Sequence, residues 1–175
     1  NCSAAHLTAL VALARSPDPS ARLSLPDGRL ARRIYGDLVL TEQAPPCPPF
    51  SPAPLATEGE TFLKGTPWRA ACRSVRCPPR EARRPGAFYL ARRTLEGTLT
   101  LRPRQTGDTI ALPGRKTKTV KKLLIDAHIP RWEREQLPIL ADGRGTAAVA
   151  GFGPDRSRLA QPGEEAYELL FWKEV

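Results

Sequence analysis

The sequence predicts an α+β fold in which strand outweighs helix, and three patterns predict it. Apolar residues alternate with polar or basic ones in several short runs from Arg22 onward. Two segments alone switch to helical spacing. Turn signals such as Asp27-Gly28 and Asp142-Gly143 separate the alternating runs. With 175 residues, 41% of them hydrophobic, the chain can bury a sizeable core as one domain or two small ones.

Taken in order, Ser3 caps a first helix in which Leu7, Leu10, Val11 and Ala14 form one stripe, and Pro17 and Pro19 stop it. That stripe faces a partner lying partly outside the sequence. RLSLP, RLARRIY and DLVLTE then read as short antiparallel strands. Residues 44–54, APPCPPFSPAP, hold six prolines in eleven positions and read as an extended linker. TPWRAACRSV, AFYLARR and TLTLRPR are strands in which Arg alternates with apolar residues, so basic side chains line one sheet face. A second helix spans Lys118 to Ala127. At 100° per residue it collects Val120, Leu123, Leu124 and Ala127 on one side and Lys118, Lys121 and Lys122 on the other. Pro130 ends it, a hairpin turns about Asp142-Gly143, and YELLFW supplies a last strand.

Charge is distributed unevenly. Residues 1–68 carry six Lys or Arg against six Asp or Glu, residues 69–134 carry seventeen against five, and residues 135–175 carry four against seven. The net +9 therefore belongs to the middle block, whose positive potential suits phosphate and nucleic acid. Arg outnumbers Lys twenty-one to six, which codon composition explains, but the scarcity of acids in that block it does not. No apolar run approaches the ~20 residues that span a bilayer, so the expectation is a soluble cytoplasmic protein with no membrane partner. Cys2, Cys47, Cys72 and Cys77 have no zinc-site spacing and read as thiols, with no metal expected. The chain begins at Asn and has no Met, which reads as a piece of a longer protein.

Within the basic block, Arg102 and Arg104 lie two residues apart on one strand face, followed by the Gly107-Asp108 turn. Guanidinium forks match phosphate oxygens. The competing reading pairs them with the acidic block Glu164, Glu165 and Glu168. Asp108 suits turn organisation or an Arg pair better than acid catalysis. Trp132, between Arg131 and Arg134, suits the core better than stacking on a base. With no Walker loop, no nucleophile elbow and only His6 and His128, the chain has no evident catalytic centre. His128 reads as a favourable partner of a helix C-terminus.

TLTLRPRQTGDTI, followed by KKLLIDAHIPRWEREQLPIL and an Asp-Gly turn, resembles the C-terminal domain of bacterial tRNA(Ile)-lysidine synthase over about residues 95–142. LPDGRLARRIYGDLVL is similar to that family's middle region. The resemblance implies a β-rich, sandwich-like C-terminal domain with one basic amphipathic helix, preceded by a helix and short antiparallel strands. It divides the chain into a remnant of the middle, substrate-recognition region (1–43), the Pro-rich linker (44–54) and a tRNA-binding domain (55–175). The family's enzyme activates a wobble cytidine of an isoleucine tRNA with ATP and attaches lysine. The resemblance places ATP (with Mg) and lysine in an N-terminal catalytic domain bearing a Ser-Gly-Gly-x-Asp-Ser loop, which this sequence lacks. No cofactor and no catalytic residue is expected here, and the 175 residues alone are expected to be inactive. The implied partners are isoleucine tRNA and the enzyme's own N-terminal catalytic domain. Carried over by position, Arg102, Arg104, Lys121, Lys122, Arg131 and Arg134 are the tRNA-contact candidates, with Lys118 and Lys116 added from helix geometry. A protein-docking or dimerisation module that meets an acidic surface is the competing function.

Overall fold

In the computed structural model, which describes residues 3–18, 21–34, 36–42 and 49–174, strand dominates and the expected α+β class is overturned. Fourteen strands in four sheets are joined by three α-helices among these residues, and only α1 (Ala4–Arg15) exceeds two turns. The fold is β-rich. Helix forms no layer of its own because the basic segment after Lys118 is cut short at both ends, as described below.

The N-terminal elements are α1, β1 (Arg22–Ser24), β2 (Arg29–Ile34) and β3 (Asp37–Glu42), the three strands forming an antiparallel sheet in that order. His6 begins α1 by reaching back, its Nδ1 accepting from the Ser3 amide at 3.1 Å. Of the expected stripe only Leu10 packs, beside Leu13, which is buried with Leu25 and Ala31, whereas Leu7 and Val11 are 59% and 51% exposed.

From Phe50 onward the strands are β4 (Ala53–Pro54), β5 (Gly59–Phe62), β6 (Trp68–Arg76), β7 (Ala87–Ala91), β8 (Thr100–Arg102), β9 (Thr109–Ile110), β10 (Lys118–Thr119), β11 (Ile139–Asp142), β12 (Gly145–Val149), β13 (Gly153–Pro154) and β14 (Glu165–Lys173). A four-stranded sheet has the order β5-β6-β14-β7 and a five-stranded sheet the order β13-β12-β11-β8-β4. Alternation along each strand makes them a sandwich. Leu90, Leu169, Cys72 and Ala70 of the first sheet meet Leu101, Leu140 and Ala148 of the second in one buried cluster. Phe50 and Leu55 join it, and β4 pairs with β8 as an edge strand, where Pro54 is tolerated. The first part of the expected linker, residues 44–48, lies outside the described residues.

The neighbours of those inward residues point the other way. Ile139 and Val149, paired across β11 and β12, pack with Ile110, Leu112 and the helix α2 (Val120–Asp126), with Trp68 and Phe171 at the margin. On the outer side of the four-stranded sheet, Tyr89, Ala91 and Ala166 pack under Cys77 and Ala160. Helix α2 is thus set on the outer face of the five-stranded sheet.

Candidate nucleic-acid interface

The segment from β8 to β11 is built around Asp108. Its carboxylate accepts from Arg102 Nη1 and Nη2, both at 2.8 Å, and from the Gln105 amide at 2.6 Å, closing the turn. Its carbonyl accepts from the Val120 amide at 2.8 Å, tying that turn to the first residue of α2. Burial alone raises the Asp108 carboxyl, but the hydrogen bonds from Arg102 and Gln105 outweigh it and hold it below the usual value. The reading of Asp108 as a turn organiser and Arg partner holds. Arg102, with 12% of its side chain exposed, is occupied by that pair.

Helix α2 is shorter than its periodicity predicts. Thr119 caps it, the side-chain oxygen accepting from the Lys122 amide at 3.2 Å, so Lys118 stands outside the helix on β10, paired with Ile110. At the other end His128 adopts φ 56°, its amide donating to Ile125 O while the Ile129 amide donates to Leu124 O. These two bonds form a Schellman closure with His where Gly is usual. Val120, Leu123 and Leu124 dock as expected, but Ala127 is exposed.

The outward surface carries Lys121, Lys122 and Arg131, all exposed, beside exposed Arg115 and Lys116 of the preceding loop. Lys118 Nζ lies 2.7 Å from Asp126, spanning α2, and that hydrogen bond holds the Asp126 carboxyl low. Arg134 is half-buried, its Nε donating to Ile129 O at 2.6 Å. Arg104 is half-buried with a buried Nε that has no hydrogen-bond partner. Trp132 is half-buried under the Arg32 guanidinium, 4.6 Å from the ring centroid, so it bridges to the N-terminal sheet. The candidates thus divide into exposed cations (Lys121, Lys122, Arg131), half-buried ones (Lys118, Arg104, Arg134) and Arg102, which shapes the turn.

The acidic block does not meet Arg102 or Arg104. Glu164 pairs with Arg93 at 2.8 Å, Glu165 with Arg92 at 3.9 Å and Glu168 with Arg73 at 2.9 Å. Sequence reasoning also missed Arg158, which is buried and 2.9 Å from the fully buried Asp142 carboxylate. Asp142 further accepts from the amides of Glu96 and Arg144, so this pair locks the hairpin turn to the loop before β8. The Asp142-Gly143 turn was visible in the sequence, but nothing in the sequence pointed to Arg158. Cys72 and Cys77 are free thiols, and no described group of three or more His, Cys, Asp or Glu side chains could hold a metal ion. No described helix is long and apolar enough to cross a membrane.

Residues 99–171 match the family model of the TilS substrate C-terminal domain. The chain is similar to tRNA(Ile)-lysidine synthase of Symbiobacterium thermophilum, with 31% identity over 157 residues, 86% of this chain and 33% of that protein. Its similarity to tRNA(Ile)-lysidine synthase of Bacillus subtilis is 28% identity over 146 residues, 82% of this chain and 31% of that protein. With the Ralstonia nicotianae enzyme of the same name it shares 41% identity over 69 residues, 39% of this chain and 15% of that protein. The chain therefore spans a third or less of the length of these relatives. A solved crystal structure of a TilS C-terminal domain superposes with a TM-score of 0.63 at 23% identity, covering 71% of this chain and 98% of that one, which shows a shared fold.

Proposed function

Since this is a C-terminal region of the tRNA(Ile)-lysidine synthase kind, we propose that it holds tRNA for an ATP-dependent ligase that joins lysine to the wobble cytidine of an isoleucine tRNA. The observation that carries the reading is one of placement. Lys121 and Lys122 are outward cations inside the matched residues 99–171, on a helix whose other face is locked into the sandwich, and exposed Arg131 opens the short helical turn Arg131–Arg134 that follows it. A rigid basic surface positions a phosphate backbone without reading its sequence. Arg104, Lys118 and Arg134 stand beside it as secondary contacts, and Arg102 supports the turn beneath.

ATP, magnesium and lysine belong in this proposal to a catalytic part outside these 175 residues. The chain contains no Ser-Gly-Gly-x-Asp-Ser loop to cradle a nucleotide, so no chemical step is assigned to it. A cytoplasmic setting follows from a tRNA substrate.

Titration of the chain with isoleucine tRNA at several salt concentrations tests the reading. Affinity is expected to fall with salt at a log-log slope of about −0.7 to −0.9 per phosphate neutralised. A flat response, or no binding at low salt, sinks it. Stable dimers indifferent to tRNA favour protein docking instead.

A further inference from the structure

The segment joining β6 to β7, Cys77-Pro-Pro-Arg-Glu-Ala-Arg-Arg-Pro-Gly, is basic and held rigid. Three prolines restrict its backbone. Its start is paired to the strand entry opposite, Cys77 N donating to Glu164 O at 2.7 Å and Gly163 N to Cys77 O at 2.8 Å. Its middle is braced from inside by Arg83, whose Nη2 donates to Ala160 O at 3.1 Å and whose Nε donates to Pro78 O at 3.3 Å. The same guanidinium lies over the Tyr89 ring at 5.2 Å. Its end is pinned where the Arg84 amide donates to the Tyr89 hydroxyl at 3.0 Å.

With Arg83 turned inward, Arg80 and Arg84 are left exposed. The acids nearby are already matched: Glu164 by Arg93, Glu165 by Arg92 and Glu168 by Arg73. Only Glu81 adds negative charge within the loop itself. A loop that spends one arginine on holding its shape and presents its neighbours to solvent has the form of a fixed phosphate contact.

Its position gives the inference its content. The loop covers the outer side of the four-stranded sheet, over Tyr89, Ala91 and Ala166, whereas α2 covers the outer side of the five-stranded sheet, over Ile139 and Val149. Two sheets stand about 10 Å apart and a packed helix adds about as much again. A straight duplex lying along one face does not reach the other.

We infer that Arg80 and Arg84 form a second phosphate-binding surface, and that one folded RNA straddles the sandwich with a different backbone segment on each face. This rests on the tRNA-holding reading above and extends it from one contact surface to two.

The test compares Arg80→Glu with Arg84→Glu in one variant, Lys121→Glu with Lys122→Glu in a second, and all four together, each titrated with isoleucine tRNA across salt in the 175-residue chain. Each pair is expected to weaken binding at least about tenfold at low salt and to reduce the salt slope by roughly 1.5, with the two losses multiplying in the quadruple variant. Arg83→Ala, which leaves the outward charges in place, is expected to speed amide exchange across residues 80–84 and to weaken binding less. Sedimentation is expected to show one RNA per protein. Unchanged affinity and slope in the Arg80/Arg84 variant, while the lysine variant loses binding, overturns the second surface and leaves the first. Two RNA molecules per protein overturns the straddling arrangement. Absence of salt-dependent binding by the unaltered chain removes both readings.

Discussion

Arg102 and Asp108, six residues apart, face each other fork to fork, with Nη1 to Oδ2 and Nη2 to Oδ1 both at 2.8 Å and both side chains largely out of solvent. Removing one partner strands the other charge, so Arg102→Ala is expected to destabilise the domain by about 3–5 kcal/mol. Arg102→Lys, which keeps the charge but loses the fork, is expected to cost stability while leaving the tRNA salt slope of the folded protein unchanged. Urea unfolding and tRNA titration on the same variants check this. A reduced slope in the folded Lys variant would make Arg102 a phosphate contact after all.

Lys121→Glu with Lys122→Glu reverses two exposed charges without touching Val120, Leu123 or Leu124. Each change is expected to shift stability by less than about 0.5 kcal/mol. Binding to tRNA is expected to drop at least about tenfold at low salt. In a full-length enzyme the same pair is expected to impair tRNA modification through tRNA affinity and to spare ATP binding. Undiminished affinity in a folded variant moves the interface off α2.

Thr119 supplies the side-chain cap of a helix only seven residues long, so Thr119→Ala is expected to cost about 1 kcal/mol. The Lys122 amide, which the cap engages, is expected to exchange faster with solvent. Exchange rates read by mass spectrometry or NMR decide the point. An unchanged Lys122 amide would show that docking alone holds the first turn.

Burial raises the Glu168 carboxyl, but hydrogen bonds from Arg73 and Tyr89 outweigh it, and its pKa lies below the ordinary 4.5. A depressed folded-state value means that the stabilisation is complete above about 4.5 and is lost as pH falls through the lowered value. Asp108 and Asp155, likewise held below 3.8 against the effect of burial, act in the same direction. Unfolding measured from pH 6 to pH 2 is expected to show stability falling on the acid side, and Glu168→Gln is expected to flatten part of that fall. An identical acid limb in the variant would remove Glu168 from the account.

Burial pushes the Cys72 thiol up to about 12, and it is 3% exposed. It is expected to resist alkylation at pH 8 in the folded protein and to react once the protein is unfolded, as peptide mapping would show. Rapid labelling under native conditions would mean that the four-stranded sheet opens readily.

Local patterns were legible in the sequence, and pairings across the fold were not. The docking of α2 through Val120, Leu123 and Leu124, the Asp142-Gly143 hairpin and the alternation of β6 all rest on neighbours a few residues apart, and the structure bears them out. Helix length was misjudged because periodicity ignores competition. Lys118 continues the amphipathic pattern, yet its backbone pairs with Ile110 and its ammonium with Asp126. Which arginines are ion-paired depends on partners such as Glu168 for Arg73, 95 residues away, and no spacing rule reaches that far. The α+β class failed for a related reason: α1 and α2 were recognisable, but two-residue strands such as β4, β9, β10 and β13 take their identity from the sheets they join.

Strand β14 lies in the middle of the four-stranded sheet, pairing with β6 along Glu165–Lys173 and with β7 along Ala166–Leu170, although it follows every other described strand in chain order. On a ribosome, β6 and β7 therefore emerge with a vacant slot between them and wait for roughly a further eighty residues before it can be filled, at about 5–20 residues per second. For those seconds the inward row of Ala70, Cys72 and Leu90 lacks Leu169, which completes it from β14. The dense arginines of residues 69–93, of which Arg69, Arg73, Arg92 and Arg93 find acidic partners within β14 or next to it, then keep the nascent segment strongly charged and self-repelling. Charge that is paired in the finished protein thus protects the unfinished one from aggregation.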